Sequence, residues 1–331
     1  MALMTGKEWD VVTVGDIFID LVMSGFPRWP RPGEEAFAST FTREVGGGAA
    51  ITACGLARLG LRVGILAVVG AEDGEWVIKR LHQQGVETDL IRHDPEEPTA
   101  LTVSVSSSED RAFFTYAGAN RRLTEVLGED EARRSLARAR HVHLACALDP
   151  GALVALSRDF HSRDCSVSLD IGWHESWLRD PRSLDALREI DLFFPNEREA
   201  QCLTGESEPE AILRALARAG LPAVALKRGP AGAALLYQNE LYFVEPYPVI
   251  PIDTTGAGDC FDAGFLAAWL GGESPERCLR RANICGALST RRLGGIAAFP
   301  TPEEIDAAGL AESSQQREGE TVGRRHLTRK G

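Results

Sequence analysis

The sequence predicts an α/β fold: a doubly wound, mainly parallel central sheet flanked by helices, with a small β-sheet lid. Three observations predict it. Short runs rich in Val, Ile and Leu alternate with helical patterns along most of the 331 residues. Several of these runs lack polar alternation, as strands buried on both faces do. Two other segments break the rhythm with period-two alternation. The length agrees, because a single core stops growing near ~250–300 residues. One large α/β domain with an appendage fits, and so do two medium domains.

The strand candidates are 11–15 (VVTVG), 63–70 (VGILAVVG), 141–147 (HVHLACA), 166–172 (SVSLDIG), 191–196 (DLFFPN) and 223–229 (AVALKRG). Helical patterns occupy 49–59, 74–84, 129–139, 153–161, 197–203 and 208–219. Strand–helix–strand repetition at this spacing builds parallel sheet with helices on both faces, and such sheets bind ligands beyond the carboxyl ends of their strands. The first break, 23–43, holds Pro27, Pro30, Pro32 and Gly33 before its alternating residues. The second, 99–116 (TALTVSVSSSEDRAFFTY), reads as a hairpin turning at 107–110. Each has one apolar face, so together they predict a small antiparallel sheet projecting over the main one as a lid. The plainer alternative is a decorated edge of the main sheet. The folded unit is predicted to span 1–310, with lid segments at about 21–45 and 98–118. Residues 311–331 are polar and aperiodic and read as a disordered tail.

Composition excludes several classes. Hydrophobic residues at 44% and charged residues at 25% are ordinary for a soluble globular chain. A net charge of −12 argues against a nucleic-acid partner held by phosphate neutralisation. Seven scattered cysteines (Cys54, Cys146, Cys165, Cys202, Cys260, Cys278 and Cys285) form no C-x-x-C pair and read as reduced core thiols. The first ten residues lack a signal-peptide layout. The apolar run 11–23 carries Asp16 and Asp20 and is too short for a membrane span. A soluble, cytoplasmic protein without a membrane partner is expected.

The most informative stretch is Asp253-Thr254-Thr255-Gly256-Ala257-Gly258-Asp259, followed by an apolar helical run over 260–270. Small residues before a helix let backbone N–H groups approach an anion, and the helix N-terminus adds partial positive charge. The amides of Gly256, Ala257 and Gly258 could form an anion hole for a migrating phosphoryl group. Asp259, in the first helical turn beside them, could accept the proton of an attacking hydroxyl. A plain N-cap aspartate after a glycine turn is the alternative. The other motifs fail: the glycines at 46–48 lack the third glycine of a dinucleotide fingerprint, no G-K-[ST] forms a P-loop, and the histidines give no H-E-x-x-H.

DTTGAGDCFDAGF resembles the C-terminal signature of the ribokinase-like (PfkB) family of carbohydrate and nucleoside kinases. The resemblance continues in order through VGDIFID (14–20), EVGGGAAITACGLARLG (44–60), VGAEDGEWVIKRLHQQGV (69–86), GAN (118–120), PNEREAQCLTG (195–205), KRGPAGA (227–233) and AN (282–283). It implies a doubly wound domain with a β-sheet lid, ATP and Mg2+ as cofactors, and transfer of the γ-phosphoryl group to a substrate hydroxyl. By that resemblance Asp259 is the catalytic base, with Gly256, Ala257 and Gly258 as its anion hole. Asn196 and Glu199 form an N-x-x-E motif that organises magnesium and phosphate through water. Lys227, Gly229 and Gly232 fall on the nucleotide side, Asn283 lies beside the adenine, and Asp253 belongs to a monovalent-cation site, so K+ is a further candidate.

On the acceptor side the resemblance makes Asp20 a ligand of sugar hydroxyls, a strand-end cap being the plainer reading. Gly46 and Gly47 let the substrate lie against the backbone. Three polar positions are changed: Phe18 and Ile51 stand where asparagines are usual, and Ala145 lies near a usual glutamate. Each change removes hydrogen-bonding capacity. This points away from ribose, toward a nucleoside or a differently oriented sugar. Arg111 and Asn120 could supply replacement contacts or be surface and turn residues. Relatives often pair through the lid sheet, so a homodimer is expected. The rival class is a silent ligand-binding sensor derived from such a kinase, which the presence of Asp259 and of 256–258 disfavours.

Overall fold

The computed structural model describes residues 6–26, 28–107 and 111–310. Its strands are β1 (Trp9–Gly15), β2 (Phe18–Phe26), β3 (Thr40–Gly46), β4 (Val63–Leu66), β5 (Val68–Gly70), β6 (Arg92–Asp94), β7 (Leu101–Ser107), β8 (Arg111–Tyr116), β9 (Ala139–Ala145), β10 (Ser166–Leu169), β11 (Leu192–Phe193), β12 (Ala223–Lys227), β13 (Ala233–Tyr237) and β14 (Glu240–Val244). The main sheet has eight of them in the order β14-β13-β12-β11-β10-β9-β1-β4. From β4 to β12 the pairings are parallel, and β13 and β14 close one edge antiparallel. This is the doubly wound α/β sheet that the strand–helix rhythm predicts.

Period-two geometry sends successive side chains to opposite layers. Val11 packs among Ala49, Ile65 and Phe265 on one face, whereas Val12 and Val14 pack among Leu144, Leu153 and Phe160 on the other. His141 and His143, two apart on β9, share a face with Ser166 and Ser168 of β10 and bond to them at 2.7–2.8 Å. Burial pushes these imidazoles down to about 3 and about 4, so they are neutral at pH 7.

Several boundaries differ from expectation, each for a non-local reason. The 63–70 run is two strands, because β5 leaves the main sheet to pair with β6. The helix expected over 129–139 is Asp130–Leu136, since Ala139 is drawn into the β1 ladder opposite Trp9. The strands expected at 166–172 and 191–196 end at Leu169 and Phe193. The β13–β14 hairpin turns on Gln238 and Asn239, both at positive φ, without the glycine that usually marks such a turn.

A second sheet, ordered β3-β2-β7-β8, stands apart from the first. Its two hairpins are antiparallel, but β2 joins β7 in parallel, so the sheet is mixed rather than the antiparallel one expected. The tip of the 107–110 turn and residues 311–331 lie outside the described residues. Among the described residues no helix is long and apolar enough to cross a membrane.

Candidate active site

Helix Ala257–Leu270 begins at Gly256, whose φ of +73° is the left-handed conformation that only glycine adopts without strain. A methyl group there would lie 2.9 Å from Ile51 Cδ1 and 3.0 Å from Gly295 Cα. The turn therefore packs directly on helix Gly48–Arg58 and on the 294–295 loop. Ala257 N–H donates to Thr254 O at 3.2 Å, while the amides of Gly256 and Gly258 have no hydrogen-bond partner among the described residues. Those two amides can receive an anion; the Ala257 amide would first leave Thr254.

Beside Gly258 opens a cavity of about 570 Å3. Lys227, Gly229, Gly232, Thr254, Ala257 and Asn283 line it, together with Tyr247 and Phe261. The expected nucleotide-side residues thus share one space with the start of the helix. Asn283 donates to the carbonyl of Glu245 at 2.8 Å, which fixes the far wall.

The carboxylate of Asp259 lies against helix Gly48–Arg58, with its Oδ1 2.9 Å from where a side chain on Gly48 would begin. Burial, reinforced by the nearby Asp170 and opposed by Lys227, raises its pKa to about 7. Asp20 on β2 lies against Gly46, its carboxylate filling the space where a side chain on that residue would begin, so a side chain at 46 would displace the Asp20 carboxylate. Burial and the neighbouring Glu44 raise Asp20 to about 7 as well. Gly47 turns at φ +98° against the backbone of Asp16. Phe18, opposite Gly46 in the β2–β3 ladder, is half-buried, and Ile51 is buried under the Gly256 turn. Ala145 lies 3.4 Å from the side-chain position of Gly48. The Asn120 amide is engaged with the backbone of Ile17, accepting from its N–H at 3.3 Å and donating to its carbonyl at 3.0 Å. It therefore holds the strand that carries Asp20. Arg111 opens β8, and its side chain lies outside the described residues.

Asn196 caps helix Glu197–Thr204 with a capping box: its side chain accepts from Glu199 N–H, and both Glu199 oxygens accept from Asn196. Glu199 is buried, which raises its pKa. Asp253 accepts from the N–H and hydroxyl of Thr255 and from Gly294 N–H, tying together the two loops that flank Gly256.

Three site residues escape sequence reasoning. Asp16, just after β1, is raised to about 6 by burial alone. Asp170 follows β10, and Asp262 lies one turn beyond Asp259; both contact Lys227. A charged residue inside the apolar run 260–270 is the one signal that could have drawn attention to Asp262.

Its relatives make the chain a phosphotransferase with an alcohol group as acceptor, and the doubly wound sheet, the glycine turn at the cavity and the carboxylate beside it suit that chemistry. The chain belongs to the pfkB family of carbohydrate kinases, whose pattern matches residues 9–302. It is 31% identical to 2-dehydro-3-deoxygluconokinase of Bacillus subtilis, over 81% of this chain and 87% of that one. It is 32% identical to the ATP-dependent ribose-1-phosphate kinase of Halopiger xanaduensis, over 91% and 98%. The Arabidopsis thaliana ribokinase solved with ribose and ATP superposes with a TM-score of 0.79 at 27% identity, over 91% and 98%. An Escherichia coli relative solved with ATP and Mg2+ gives 0.77 at 27% identity, over 91% and 99%.

Proposed function

We propose that the chain transfers the γ-phosphoryl group of ATP to a hydroxyl of a sugar or nucleoside, with Asp259 as base. One observation carries this reading. Asp259 sits where the two halves of the site meet: Gly258 lines the nucleotide cavity, and the Asp259 carboxylate abuts Gly48 on the acceptor side. The acceptor O–H gives its proton to Asp259 as its oxygen bonds to the γ-phosphorus. The bond from that phosphorus to the β-bridging oxygen breaks, and ADP leaves. The amides at 256–258 meet the charge on the transferring group. Bound magnesium would neutralise the phosphate oxygens. Glu199, each of whose oxygens already accepts one bond from Asn196, would meet it through water, since magnesium keeps several waters. A monovalent cation such as potassium would lie near the loops that Asp253 ties together.

Asp20 supplies the acceptor contact. An ATP-consumption screen over pentoses, hexoses, keto-deoxy acids and nucleosides tests the reading. With the best acceptor, Asp20→Asn is expected to raise the acceptor KM more than tenfold and to leave the KM for ATP within about twofold. Thermal shifts without turnover for every acceptor would instead support a binding protein.

The same reading makes the second sheet a lid that excludes water from the transfer and the surface through which two copies pair. Leu21, Met23, Phe41, Val103, Val105 and Phe114 share one face of it by register. Phe41 is 62% exposed and Phe114 63% exposed, a cost that a partner copy would remove. In light-scattering measurements the wild type is expected at twice the chain mass, and Phe41→Asp with Phe114→Asp at one chain mass. A wild-type monomer at micromolar concentration would reject the pairing.

A further inference from the structure

Lys227 closes β12 with its ammonium buried between two carboxylates. Nζ lies 2.6 Å from Asp170 Oδ2 and 3.3 Å from Asp262 Oδ1, and all three side chains are 12% exposed or less. Oxygens of Asp170, Asp262 and Asp259 also lie within 4.8 Å of one another, close enough to share a cation. Lys227 already supplies that positive charge. The ammonium is also within reach of the phosphate side, 3.5 Å from where a side chain on Gly258 would begin, and Lys227 lines the cavity there.

The carboxylates differ in what they contribute. The Lys227 charge and a hydrogen bond from Gly172 N–H hold Asp170 below the usual carboxylate range, although burial alone would raise it. Asp262 is fully buried, and burial pushes it well above that range. Asp170 is therefore the principal counter-ion. Asp262, with both oxygens within 3.4 Å of Nζ, fixes the direction in which the ammonium points. A lysine stem has four rotatable bonds, so an ammonium without two fixed acceptors would sample many positions.

We propose that Lys227 is a further catalytic residue, donating a hydrogen bond to the transferring phosphoryl group beside the 256–258 amides, and that Asp170 and Asp262 are positioning residues that aim it. No proton moves in this contact. The ammonium exchanges part of its pairing with Asp262 for a phosphoryl oxygen and stays paired with Asp170. The inference rests on the kinase reading above and adds to it a cation supplied by the chain itself at the point of transfer.

The test uses the full chain with the best acceptor from the screen. Lys227→Gln is expected to lower kcat at least a hundredfold while the acceptor KM stays within threefold. It should also weaken ATP binding at least tenfold more than ADP binding, because the ammonium faces the terminal phosphate. Lys227→Arg should recover at least tenfold of the lost kcat. Asp262→Asn, which keeps the shape of a buried group, is expected to lower kcat about tenfold with an unchanged melting temperature. Combined with Lys227→Gln it should add less than twofold, since it acts through Lys227. Equal loss of ATP and ADP binding in Lys227→Gln, or a full additional tenfold loss in the double variant, would overturn the proposal. If Lys227→Gln does not fold, the kcat of Asp262→Asn decides alone: an unchanged value rejects the role. Failure of Asp259→Asn to slow transfer would instead remove the underlying reading, a separate result.

Discussion

Asp259→Asn is expected to lower kcat about a thousandfold while ATP still binds, within the range general-base catalysis commands. Its amide cannot accept the acceptor proton, yet it keeps the size of a side chain packed between Gly48 and the turn. The pH profile provides a second readout. Burial raises the Asp259 pKa to about 7, so the carboxylate that acts as base is present above that value and lost below it. In the wild type, kcat at saturating acceptor should climb through about pH 7 and then level off. In the variant, the residual rate should lack that limb. Stability moves the other way. A carboxyl group whose folded pKa lies above its unfolded value stabilises fully below the unfolded pKa of about 3.8, and that contribution is lost as pH rises through about 7. Asp259→Asn should therefore melt a few degrees above the wild type at pH 8 and equally with it at pH 4. A variant within a few-fold of wild-type kcat would remove Asp259 from the mechanism.

Gly256→Ala is the second large effect. Left-handed backbone costs a non-glycine residue roughly 1–2 kcal/mol. The new methyl would also press on Ile51 and on the Gly295 backbone at 2.9 and 3.0 Å. Neither neighbour can yield freely, because Ile51 is buried and Gly295 belongs to the loop pinned by Asp253. The turn must shift, and the amides move with it. A displaced donor in such a hole is worth about 10²–10³ in kcat, so a loss of at least a hundredfold is expected. The melting temperature should fall by several degrees. Gly258→Ala provides the contrast: its methyl would meet only the Lys227 side chain, at an ordinary 3.5 Å, and its melting temperature should be unchanged. Gly256→Ala with wild-type kcat would show that the turn does not shape the site.

Local periodicity is enough to read the parallel part of the main sheet, because a strand buried on both faces and an amphipathic helix each leave a signature within ten residues, whereas the antiparallel β13–β14 edge is not among the strand candidates. The join between the two hairpins of the second sheet leaves no such signature. That β2 meets β7 in parallel depends on which hairpin edges face each other, not on the composition of either strand. The site divides in the same way. Gly256, Gly258 and Asp259 are contiguous and readable together. Lys227 meets Asp170 across 57 positions and Asp262 across 35, so neither carboxylate announces its role locally. Asn120 illustrates the reverse: its residue type suggested a substrate contact, and its amide is engaged with Ile17.

That engagement has a mechanical consequence. The chain enters or leaves the second sheet at 15–18, 46–48, 94–101 and 116–118. Asn120 ties the last of these crossings to the first, so those two are held together rather than left as independent strings. Asp20 rides on one side of these crossings and Asp259 on the other. On the proposed reading, the gap between recognition and chemistry would then follow the angle between the two sheets, and residues touching neither substrate would tune turnover by setting that angle.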